Sequence, residues 1–585
     1  MKDFIIAPSR WYINRLEADF IIGEYSVYID GCNTRFFEEE LFIDFSDSLL
    51  GSKNKVTDVK CSVSLSINGQ TRFCADKLNN HPFYYFVHGR NIVLTSNLFL
   101  LKKLNINLEI DPVGLIQRLS GPDFTSFGER TLLKNIKKTL PFKEYIFNNG
   151  KLNSTDLPII EYGMQKASDS VVDNLLDVLF DSHREVLSGF NNIDIALSGG
   201  LDSRLSLGIF YELLKEESFK SKKIRSITYG SCWNYESRLA ETLAYNLSLP
   251  HIGIWDDLAC WPTCDELFSY AQKSNSIGIS SWNNLIRFYK IHVPKRDQCL
   301  VMGDLLEAVA GRKLQFGLSR TDKIKAYFKS SSNQVLKSID LDLLSDSIST
   351  EIVKNLIEVY SEIGAFKDLK GLKLSEVIDE SRNDLKAIYE VCRRMSPLTK
   401  SQFYESFQWL IYSSPDYRNQ AGYFKGIIHC FSPSTSIEVL GRIINIDPIH
   451  RLNGKLLLLL MKSINCFPAM DIPIASSPYV KISYPDFLRK LSNLIRVFVD
   501  AYYKSRRMAD KNYLASARFL KDTNWVKVHR LFPFAEYDEL IGEDLFDYPM
   551  RIVETRSKLK SQPLVNYDLV NWIFVSYMSR LLVKK

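Results

Sequence analysis

The sequence contains no long hydrophobic run. Its longest apolar stretch, Leu456–Met461, has only six residues, whereas a helix needs roughly 20 apolar residues to cross a bilayer. The residues after Met1 also lack the apolar run and small-residue cleavage site of a secretory signal. We therefore expect a cytoplasmic protein without a membrane span.

A large excess of one charge is also missing. The 585 residues carry 74 Lys and Arg against 68 Asp and Glu, a formal net charge of +6. Nucleic-acid-binding proteins usually cluster far more basic charge, so we expect no nucleic-acid partner. Because 45% of the residues are hydrophobic and 24% are charged, the composition is typical of globular domains. This length predicts two or three of them.

The cysteine spacing gives no sign of a zinc site or a disulfide framework. The ten cysteines are scattered along the chain, and Cys260 and Cys264 form the only close pair. No second Cys or His pair lies near them at zinc-site spacing. We expect reduced, mostly structural thiols, as in cytosolic proteins.

The pattern of predicted secondary structure changes near residue 165. Before it, short β-prone segments alternate with Gly and Asn turns, which predicts hairpins of a mainly antiparallel sheet. After about Ser168, a helical stretch is followed by alternating strands and helices, which predicts a parallel, doubly wound sheet. The predicted hairpin segments are 61–67 with 72–74, 84–87 with 91–95, and 145–147 with 151–152, and the later strands are 193–197, 224–229, 251–255 and 299–302.

The hexapeptide Ser198–Ser203, Ser-Gly-Gly-Leu-Asp-Ser, lies between a predicted strand and a predicted helix. Adjacent glycines allow a tight turn that brings backbone N–H groups against an anion. The N-terminus of the following helix attracts negative charge at the same point. Ser198 and Ser203 add hydroxyl donors, whereas Asp202 can contact a phosphate only through a bridging Mg²⁺. A plain strand-to-helix turn capped by Asp202 is the alternative. The hexapeptide has neither the Walker sequence nor the dinucleotide-binding sequence. Its two glycines, its hydroxyls and the helix start together predict a phosphate site.

This hexapeptide resembles the pyrophosphate loop of the N-type ATP pyrophosphatases, in particular that of the asparagine synthetase family. The downstream segment Tyr235–Ser237, with Ala240, Ala244, Leu247 and His251, is similar to the family's Asp-Glu-Ser, Ala, Ala, Leu, His spacing. The resemblance implies that ATP binds at the loop and at the ends of two other strands. The implied ATP-binding residues are Leu197, Ser198, Gly199, Gly200, Leu201, Asp202, Ser203, Tyr229, Met302 and Gly303.

A second acidic segment follows a later strand and is similar to the family's metal-binding segment. The matching residues are Gly303, Asp304 and Gly311. Glu307 takes the place of an Asp that the family uses on magnesium, and Ala308 takes the place of the neighbouring Glu. Because Glu has the same hard oxygens as Asp, the resemblance implies Asp202 and Glu307 as Mg²⁺ ligands and Asp304 as a catalytic residue. A solvated carboxylate at a helix start is the alternative for Glu307.

The C-terminal part resembles the family less. Asp416–Asn419 and Phe431 fall at the spacing of family segments, and Arg451–Lys455 is similar to a segment whose Lys lies near the reacting centre. The resemblance therefore implies Lys455 as a further catalytic candidate. The family's Lys-Gly-Phe element has no counterpart in Ile474–Ser477. We expect substrate recognition to be where this chain departs furthest from asparagine synthetase.

The first 150 residues resemble the family's glutaminase-like domain, an antiparallel β-sandwich. Residues 74–85 and Ile110–Pro112 are similar to segments of that domain, and Thr131–Pro141 is similar to a segment ending in Pro-Gly, with Phe142 in place of the Gly. A working glutaminase of this class has Cys directly after the initiator Met, and Lys2 stands there instead. We therefore expect a degenerate domain without glutaminase activity, as in the β-lactam synthetases and lasso-peptide cyclases.

The resemblance implies an α/β and α+β architecture in three parts. These are a glutaminase-like sandwich over residues 1–160, a doubly wound ATP pyrophosphatase domain with a helical C-terminal part over 165–480, and a helical extension over 481–585. The expected activity is that of a carbon–nitrogen ligase, which uses ATP and Mg²⁺ to adenylate a small-molecule or peptide carboxylate. The activated acid is then coupled to an amine or ammonia, and a homodimer is one expected assembly.

Three alternative functions stay open. One is asparagine synthesis itself, although Lys2 argues against glutamine as its source of ammonia. Another is amidation of a sugar acid in surface-polysaccharide assembly, because Arg204, directly after the loop, is similar to such family members. The third is a non-catalytic ATP-binding protein of the same fold, because Ala308 departs from the family pattern.

Overall fold

A computed structural model gives the fold of the chain. It describes residues 3–8, 19–22, 25–30, 33–37, 40–44, 62–66, 70–79, 81–120, 126–230, 235–255, 269, 272, 283–303, 311, 341–364, 372–413, 424, 427–464 and 470–505. Within these ranges, no helix combines the length and the apolar character that crossing a membrane requires.

Two six-stranded sheets make up the N-terminal region. Their strands are β1 (Asp3–Pro8), β2 (Phe20–Ile22), β3 (Tyr25–Asp30), β4 (Asn33–Phe37), β5 (Glu40–Asp44), β6 (Ser62–Ser66), β7 (Thr71–Cys74), β8 (Tyr84–His88), β9 (Asn91–Thr95), β10 (Lys137–Lys138), β11 (Lys143–Asn148) and β12 (Lys151–Asp156). One sheet has the order β10-β8-β9-β1-β3-β2 and the other β12-β11-β7-β6-β5-β4. Every pairing within them is antiparallel, so the predicted antiparallel region is confirmed.

The three predicted hairpins are present. Strand β6 pairs with β7, β8 with β9, and β11 with β12. The turn between β11 and β12 consists of Asn149 and Gly150, whose φ angles are 48° and 80°. Two positive φ angles in a two-residue loop define the turn whose twist matches that of the flanking strands, and Asn-Gly is the sequence that adopts it most readily.

The two sheets pack face to face. One buried cluster takes side chains from both of them, including Phe4, Ile92, Leu65 and Phe147. The ring of Phe73 on β7 stacks on Tyr145 at 5.1 Å between centroids, and it also lies 5.7 Å from the ring of Tyr85 on the other sheet. Such aromatic pairs add to the free energy of burial. The N-terminal region is therefore an antiparallel sandwich, as predicted.

A five-stranded parallel sheet follows. Its strands are β13 (Asn192–Ala196), β14 (Lys223–Gly230), β15 (His251–Trp255), β16 (Gln298–Val301) and β17 (His429–Phe431). Their order is β15-β14-β13-β16-β17, with every pairing parallel. The chain starts in the middle strand, builds out to one edge and then returns to the other side of β13. This is the predicted doubly wound arrangement, extended by β17, a three-residue strand too short to predict from its pattern.

Helices connect the strands and form most of the region after residue 340 that the structure describes. They are α1 (Pro112–Ser120), α2 (Asp169–Gly189), α3 (Asp202–Leu213), α4 (Tyr235–Asn246), α5 (Asn283–Ile291), α6 (Leu341–Gly364), α7 (Leu374–Arg394), α8 (Lys400–Gln408), α9 (Ile437–Ile444), α10 (Pro448–Arg451), α11 (Lys455–Ser463) and α12 (Asp486–Ser505).

The sandwich contacts helix α7 through a polar cluster centred on Arg130. The guanidinium donates to Asp111 beside α1 at 2.6 Å and to Glu380 and Asp384 of α7 at 2.5 and 2.6 Å. Gln117 of α1 also donates to Asp384, at 2.7 Å. An Arg fork surrounded by several carboxylates fixes the orientation of the groups that it joins.

A short hairpin precedes the last described helix. Strands β18 (Pro473–Ile474) and β19 (Ser477–Lys481) pair antiparallel. Helix α12 lies against β19, where the hydroxyl of Ser492 accepts a hydrogen bond from the amide of Tyr479 at 3.1 Å. Helix α12 falls within the predicted helical extension, and residues 506–585 lie outside the described ranges.

Candidate functional site

The loop Ser198–Ser203 is braced by its own two serines. The hydroxyl of Ser203 accepts a hydrogen bond from the amide of Ser198 at 3.1 Å, and the two hydroxyl oxygens are 3.0 Å apart. The amide of Gly200 donates to the Ser198 hydroxyl at 3.1 Å. The hydroxyls predicted as phosphate donors therefore also hold the turn itself in shape.

The two glycines of the loop have different surroundings. A Cβ atom on Gly199 would lie 2.9 Å from Cα of Glu236 and 3.2 Å from Cβ of Ala475, so this position is packed between two other segments. On Gly200, a Cβ atom would meet only the Ser198 hydroxyl among the described atoms, at 3.1 Å. The loop is thus clamped at Gly199, and the absence of a side chain at Gly200 allows a ligand to approach the backbone there.

Helix α3 begins at Asp202, inside the loop. The preceding residue, Leu201, has no side-chain oxygen with which to cap the first turn. The first amide groups of a helix have no carbonyl partner within that helix. An anion placed here would receive these amides together with the positive end of the helix dipole.

The loop lies where the strand order of the parallel sheet reverses. It follows β13, and Met302 and Gly303 follow the neighbouring strand β16. A Cβ atom on Gly303 would lie 2.9 Å from the amide nitrogen of Ser203, so the residues after β16 touch the first turn of α3. Met302 is fully buried, and its amide donates to the Phe431 carbonyl at 2.8 Å. Open α/β sheets bind ligands in the crevice at such a reversal.

Leu197 and Tyr229 lie at the same edge of the sheet. The amide of Leu197 donates to the Ile227 carbonyl at 2.8 Å, and its own carbonyl accepts from the Thr228 hydroxyl at 2.7 Å. Tyr229, two residues further along β14, is half-buried. Both predicted ATP-binding positions are therefore beside the loop.

Helix α4 also begins at the loop. Glu236, in its first turn, lies against Gly199, which places the resembling segment Tyr235–Ser237 at the site. The N-termini of α3 and α4 thus meet near the same turn, and each contributes positive potential to it.

Lys455 begins a third helix beside the loop. A Cβ atom on the preceding Gly454 would lie 3.1 Å from Cδ1 of Leu201. Gly454 has a φ of 72°, a left-handed conformation that Gly adopts without strain. The Lys455 ammonium lies 3.5 Å from the Ile449 carbonyl oxygen. The structure therefore places the start of α11 beside Leu201 of the loop, more than 250 residues earlier in the chain, while the Lys455 ammonium itself contacts the Ile449 carbonyl.

Several predicted residues lie outside the described ranges, namely Asp304, Glu307, Ala308 and Asp416–Asn419. The glycines that flank the acidic segment are both described. Gly303 touches Ser203, and a Cβ atom on Gly311 would be 2.1 Å from the Arg451 carbonyl oxygen. Both ends of the segment are thus fixed, one at the loop and one just before Lys455. No group of three or more His, Cys, Asp or Glu side chains forms a metal site in the part of the chain that the structure describes.

The cysteines with a described position are free thiols: Cys74, Cys299, Cys392 and Cys430. Burial raises the pKa of both Cys74 and Cys392 to about 12. Because the thiolate is the reactive form, burial disfavours reaction of these two thiols at neutral pH. The four described positions carry no disulfide, in line with the expected reduced thiols.

One part of the site was not predicted from the sequence. The amide of Ala475 donates to the Gly199 carbonyl at 2.9 Å, which brings the hairpin β18–β19 against the loop. Arg204, fully buried, donates to the carbonyl oxygens of Ile472 and Pro473, both at 2.9 Å. The short apolar pattern of this hairpin gives no sign of such a contact.

Comparison with known proteins identifies no family. No family model matches the chain, and no curated protein matches it significantly. The resemblance to asparagine synthetases therefore depends on the motifs alone.

Proposed function

We propose that this chain is an ATP-dependent ligase that activates a carboxylate as its adenylate and transfers the acyl group to an amine or ammonia. The observation that carries the proposal is the contact between the Ser198–Ser203 loop and Gly303 at the reversal of the parallel sheet. It joins a turn suited to phosphate with the start of an acidic segment.

The residues present fit the phosphates of ATP. The loop supplies a turn without a side chain at Gly200, the first amides of α3 and the positive ends of two helix dipoles. Backbone donors of this kind bind phosphate oxygens and are oriented before the ligand arrives. The hydroxyl bonds between Ser198 and Ser203 keep the turn in that shape.

Asp202 and the acidic segment after Gly303 are the groups that would hold Mg²⁺. Asp202 is half-buried at the start of α3, and the acidic segment containing Asp304 and Glu307 begins directly after Gly303. Carboxylate oxygens are the ligands that Mg²⁺ prefers in proteins, together with substrate phosphates. A bound Mg²⁺ would neutralise the charge that develops on the leaving pyrophosphate.

The proposed reaction has two steps, adenylation of the carboxylate and transfer of the acyl group to the amine. The substrate carboxylate attacks the α-phosphorus of ATP, the bond to the β-phosphate oxygen breaks, and pyrophosphate leaves into the amides of the loop and α3. An amine then attacks the acyl carbon, AMP leaves, and the amine gives up a proton. We assign to Lys455, at the start of α11, the stabilisation of the negative charge of this second step.

Pyrophosphate release tests the proposal. The protein is incubated with Mg-ATP, an amine or ammonium, and a panel of carboxylic acids that includes aspartate, peptides and sugar acids. We expect at least one acid to stimulate release, and Asp202→Asn to reduce the rate about 100-fold or more, as the loss of one preorganised electrostatic contact does elsewhere. Glu212→Gln on the same helix is the matched control, since Glu212 pairs with the surface residue Lys215. A folded Asp202→Asn protein with the wild-type rate would remove the proposal.

The same assay separates the alternatives. Stimulation by a sugar acid alone would favour a role in polysaccharide amidation, whereas ATP binding without turnover of any acid would favour a non-catalytic protein. The motif behind the sugar-acid alternative includes Arg204, whose guanidinium donates to backbone carbonyls of the hairpin. Its observed contacts therefore give no support to a direct role in choosing a sugar acid.

A further inference from the structure

We propose that Arg204 is a positioning residue, which holds Ile472–Ala475 across the phosphate loop and so keeps the loop in its binding conformation. We name residues Ile472–Ala475 the strap. This inference rests on the proposed function for its effect on ATP, but the contacts that carry it are independent of any ligand.

Arg204 joins the loop to the strap with two hydrogen bonds. It is the third residue of α3 and directly follows Ser203, whose hydroxyl braces the loop. Its Nη1 and Nη2 atoms donate to the carbonyls of Ile472 and Pro473, each at 2.9 Å. The planar guanidinium reaches two successive carbonyls at once, which the single ammonium of a lysine does less well.

The strap contacts the loop a second time at Ala475. Its amide donates to the Gly199 carbonyl at 2.9 Å, and a Cβ atom on Gly199 would be 3.2 Å from the Ala475 methyl group. The two contacts lie on either side of the turn, one at Gly199 and one at Arg204. Releasing the strap would therefore remove one contact at each end of the loop together.

The strap is largely buried, with Pro473 half-buried and the other three residues buried. Ile472, Ile474 and Ala475 are between 3% and 7% exposed, and Arg204 is fully buried. Arg204 is therefore out of reach of a solvent-borne substrate, and a substitution there acts on a ligand through the loop. Because loops that bind ligands usually come from the less stable parts of a fold, a buried charged contact at this position can decide the order of the whole turn.

Hydrogen–deuterium exchange measures the strap directly, in the full-length protein and without ligand. The Ala475 amide reports the bond to Gly199. In Arg204→Met we expect peptides covering 470–481 to exchange at least about tenfold faster, with the β13 peptide over 190–197 unchanged, since hydrogen bonds from a charged donor are among the stronger ones. Arg204→Lys, which keeps the charge but replaces the planar fork with a single ammonium nitrogen, is expected to give a smaller increase. It also serves if Arg204→Met does not fold.

Titration calorimetry with Mg-ATP is the second measurement. It tests whether the strap affects ligand binding at the loop. We expect the affinity to fall about tenfold or more in Arg204→Met and less in Arg204→Lys. Arg225→Met is the matched control, because Arg225 is a partly buried arginine that pairs with Asp194 of β13, away from the strap. It is expected to lower the unfolding temperature without a selective rise in exchange over 470–481.

The outcomes are distinguishable. Unchanged exchange over 470–481 in folded Arg204 variants would overturn the strap itself. Faster exchange with wild-type ATP affinity would overturn the positioning role. If the wild-type protein does not bind Mg-ATP, the proposed function fails, and the positioning role fails with it even if exchange shows that Arg204 holds the strap.

Discussion

Gly303 lies so close to Ser203 that a Cβ atom on it would be 2.9 Å from the Ser203 amide nitrogen and 3.2 Å from its Cα atom. The contact is between two backbone segments, so no side-chain rearrangement can make room. It joins the residue after β16 to the first turn of α3, beside the point where the strand order reverses. The glycine at 303 therefore allows these two backbone segments to approach closely.

Gly303→Ala is expected to weaken Mg-ATP binding about tenfold or more. The added methyl group must push the first turn of α3 or the end of β16 outward, and small displacements of positioned groups weaken binding and catalysis strongly. Titration calorimetry measures the affinity, and thermal unfolding shows whether the variant is folded. Wild-type affinity in a folded variant would contradict the contact.

Gly441→Ala is the control for that substitution. Gly441 lies in α9, where a Cβ atom would approach only the side chain of Ile160 among the described atoms, at 3.3 Å. Since that side chain can adjust and Ala is the better helix former by about 1 kcal/mol, the stability should change by about 1 kcal/mol or less. The ATP affinity should not change.

Much of the local structure could be predicted because short patterns determine it. The Asn-Gly turn between β11 and β12 has the backbone that its sequence favours. The apolar run Ile193–Leu197 and the two glycines that follow it predicted both the strand β13 and the start of α3. The alternation of strands and helices after Ser168 predicted the parallel sheet, because its crossovers need helices.

The assembly of the site could not be predicted from the residues alone, because contacts between distant segments leave no local pattern. Gly454 touches Leu201, and Ala475 touches Gly199, across more than 250 residues each. Only the family resemblance pointed to Lys455. The backbone of Phe142 could not be predicted from its side chain either. Phe142 takes the place of a Gly in the asparagine synthetase family, and its φ of 55° lies in the left-handed region that favours Gly. A buried aromatic ring gives no hint of that backbone.

The buried pair of Glu405 and Arg451 allows a prediction about stability. Arg451 donates to both carboxylate oxygens at 2.9 and 2.8 Å, and to the Ile446 carbonyl at 3.1 Å. Burial raises the pKa of Glu405, and the guanidinium opposes that rise. Arg451→Met is expected to lower the free energy of unfolding by about 3–5 kcal/mol, because it leaves a buried carboxylate without its counterion. Chemical denaturation measures the change.

Two further variants make this test specific. The double substitution Glu405→Gln with Arg451→Met should recover part of the loss, since no buried charge then lacks a partner. Lys134→Met removes an exposed pair with Glu109 and should change stability by about 1 kcal/mol or less. A double variant less stable than Arg451→Met alone would count against the argument.

His183 should make the stability depend on pH. It is fully buried on α2, where its Nδ1 atom donates to the Leu179 carbonyl at 2.6 Å and its ring lies 4.8 Å from that of Phe210. Burial lowers its pKa from 6.5 to about 4. The unfolded chain therefore binds the proton more readily, so the contribution of His183 is complete above pH 6.5 and is lost as the pH falls toward 4. The loss is on the order of 3 kcal/mol.

Urea unfolding at a series of pH values between 4 and 8 checks this. The wild-type free energy of unfolding should fall through the window from 6.5 to 4, and His183→Asn should show a flatter profile there. The difference between the two profiles isolates His183 from His251, whose pKa burial also lowers. Parallel profiles would show that His183 is not the group that titrates.

Lys455 separates ATP binding from the second chemical step. It begins α11 next to Leu201, and its ammonium lies near the Ile449 carbonyl. With an acid that supports pyrophosphate release in the wild-type protein, Lys455→Met should lower kcat for amide formation by about 100-fold or more, as the loss of a positioned charge does. The affinity for Mg-ATP should change by only a few-fold, because the loop amides remain.

Lys462→Met is the control and should keep both values, because Lys462 is an exposed lysine in the last turn of the same helix. Undiminished kcat in Lys455→Met would show that the lysine has no part in the reaction, whereas parallel losses of kcat and ATP affinity would place its role at the phosphates.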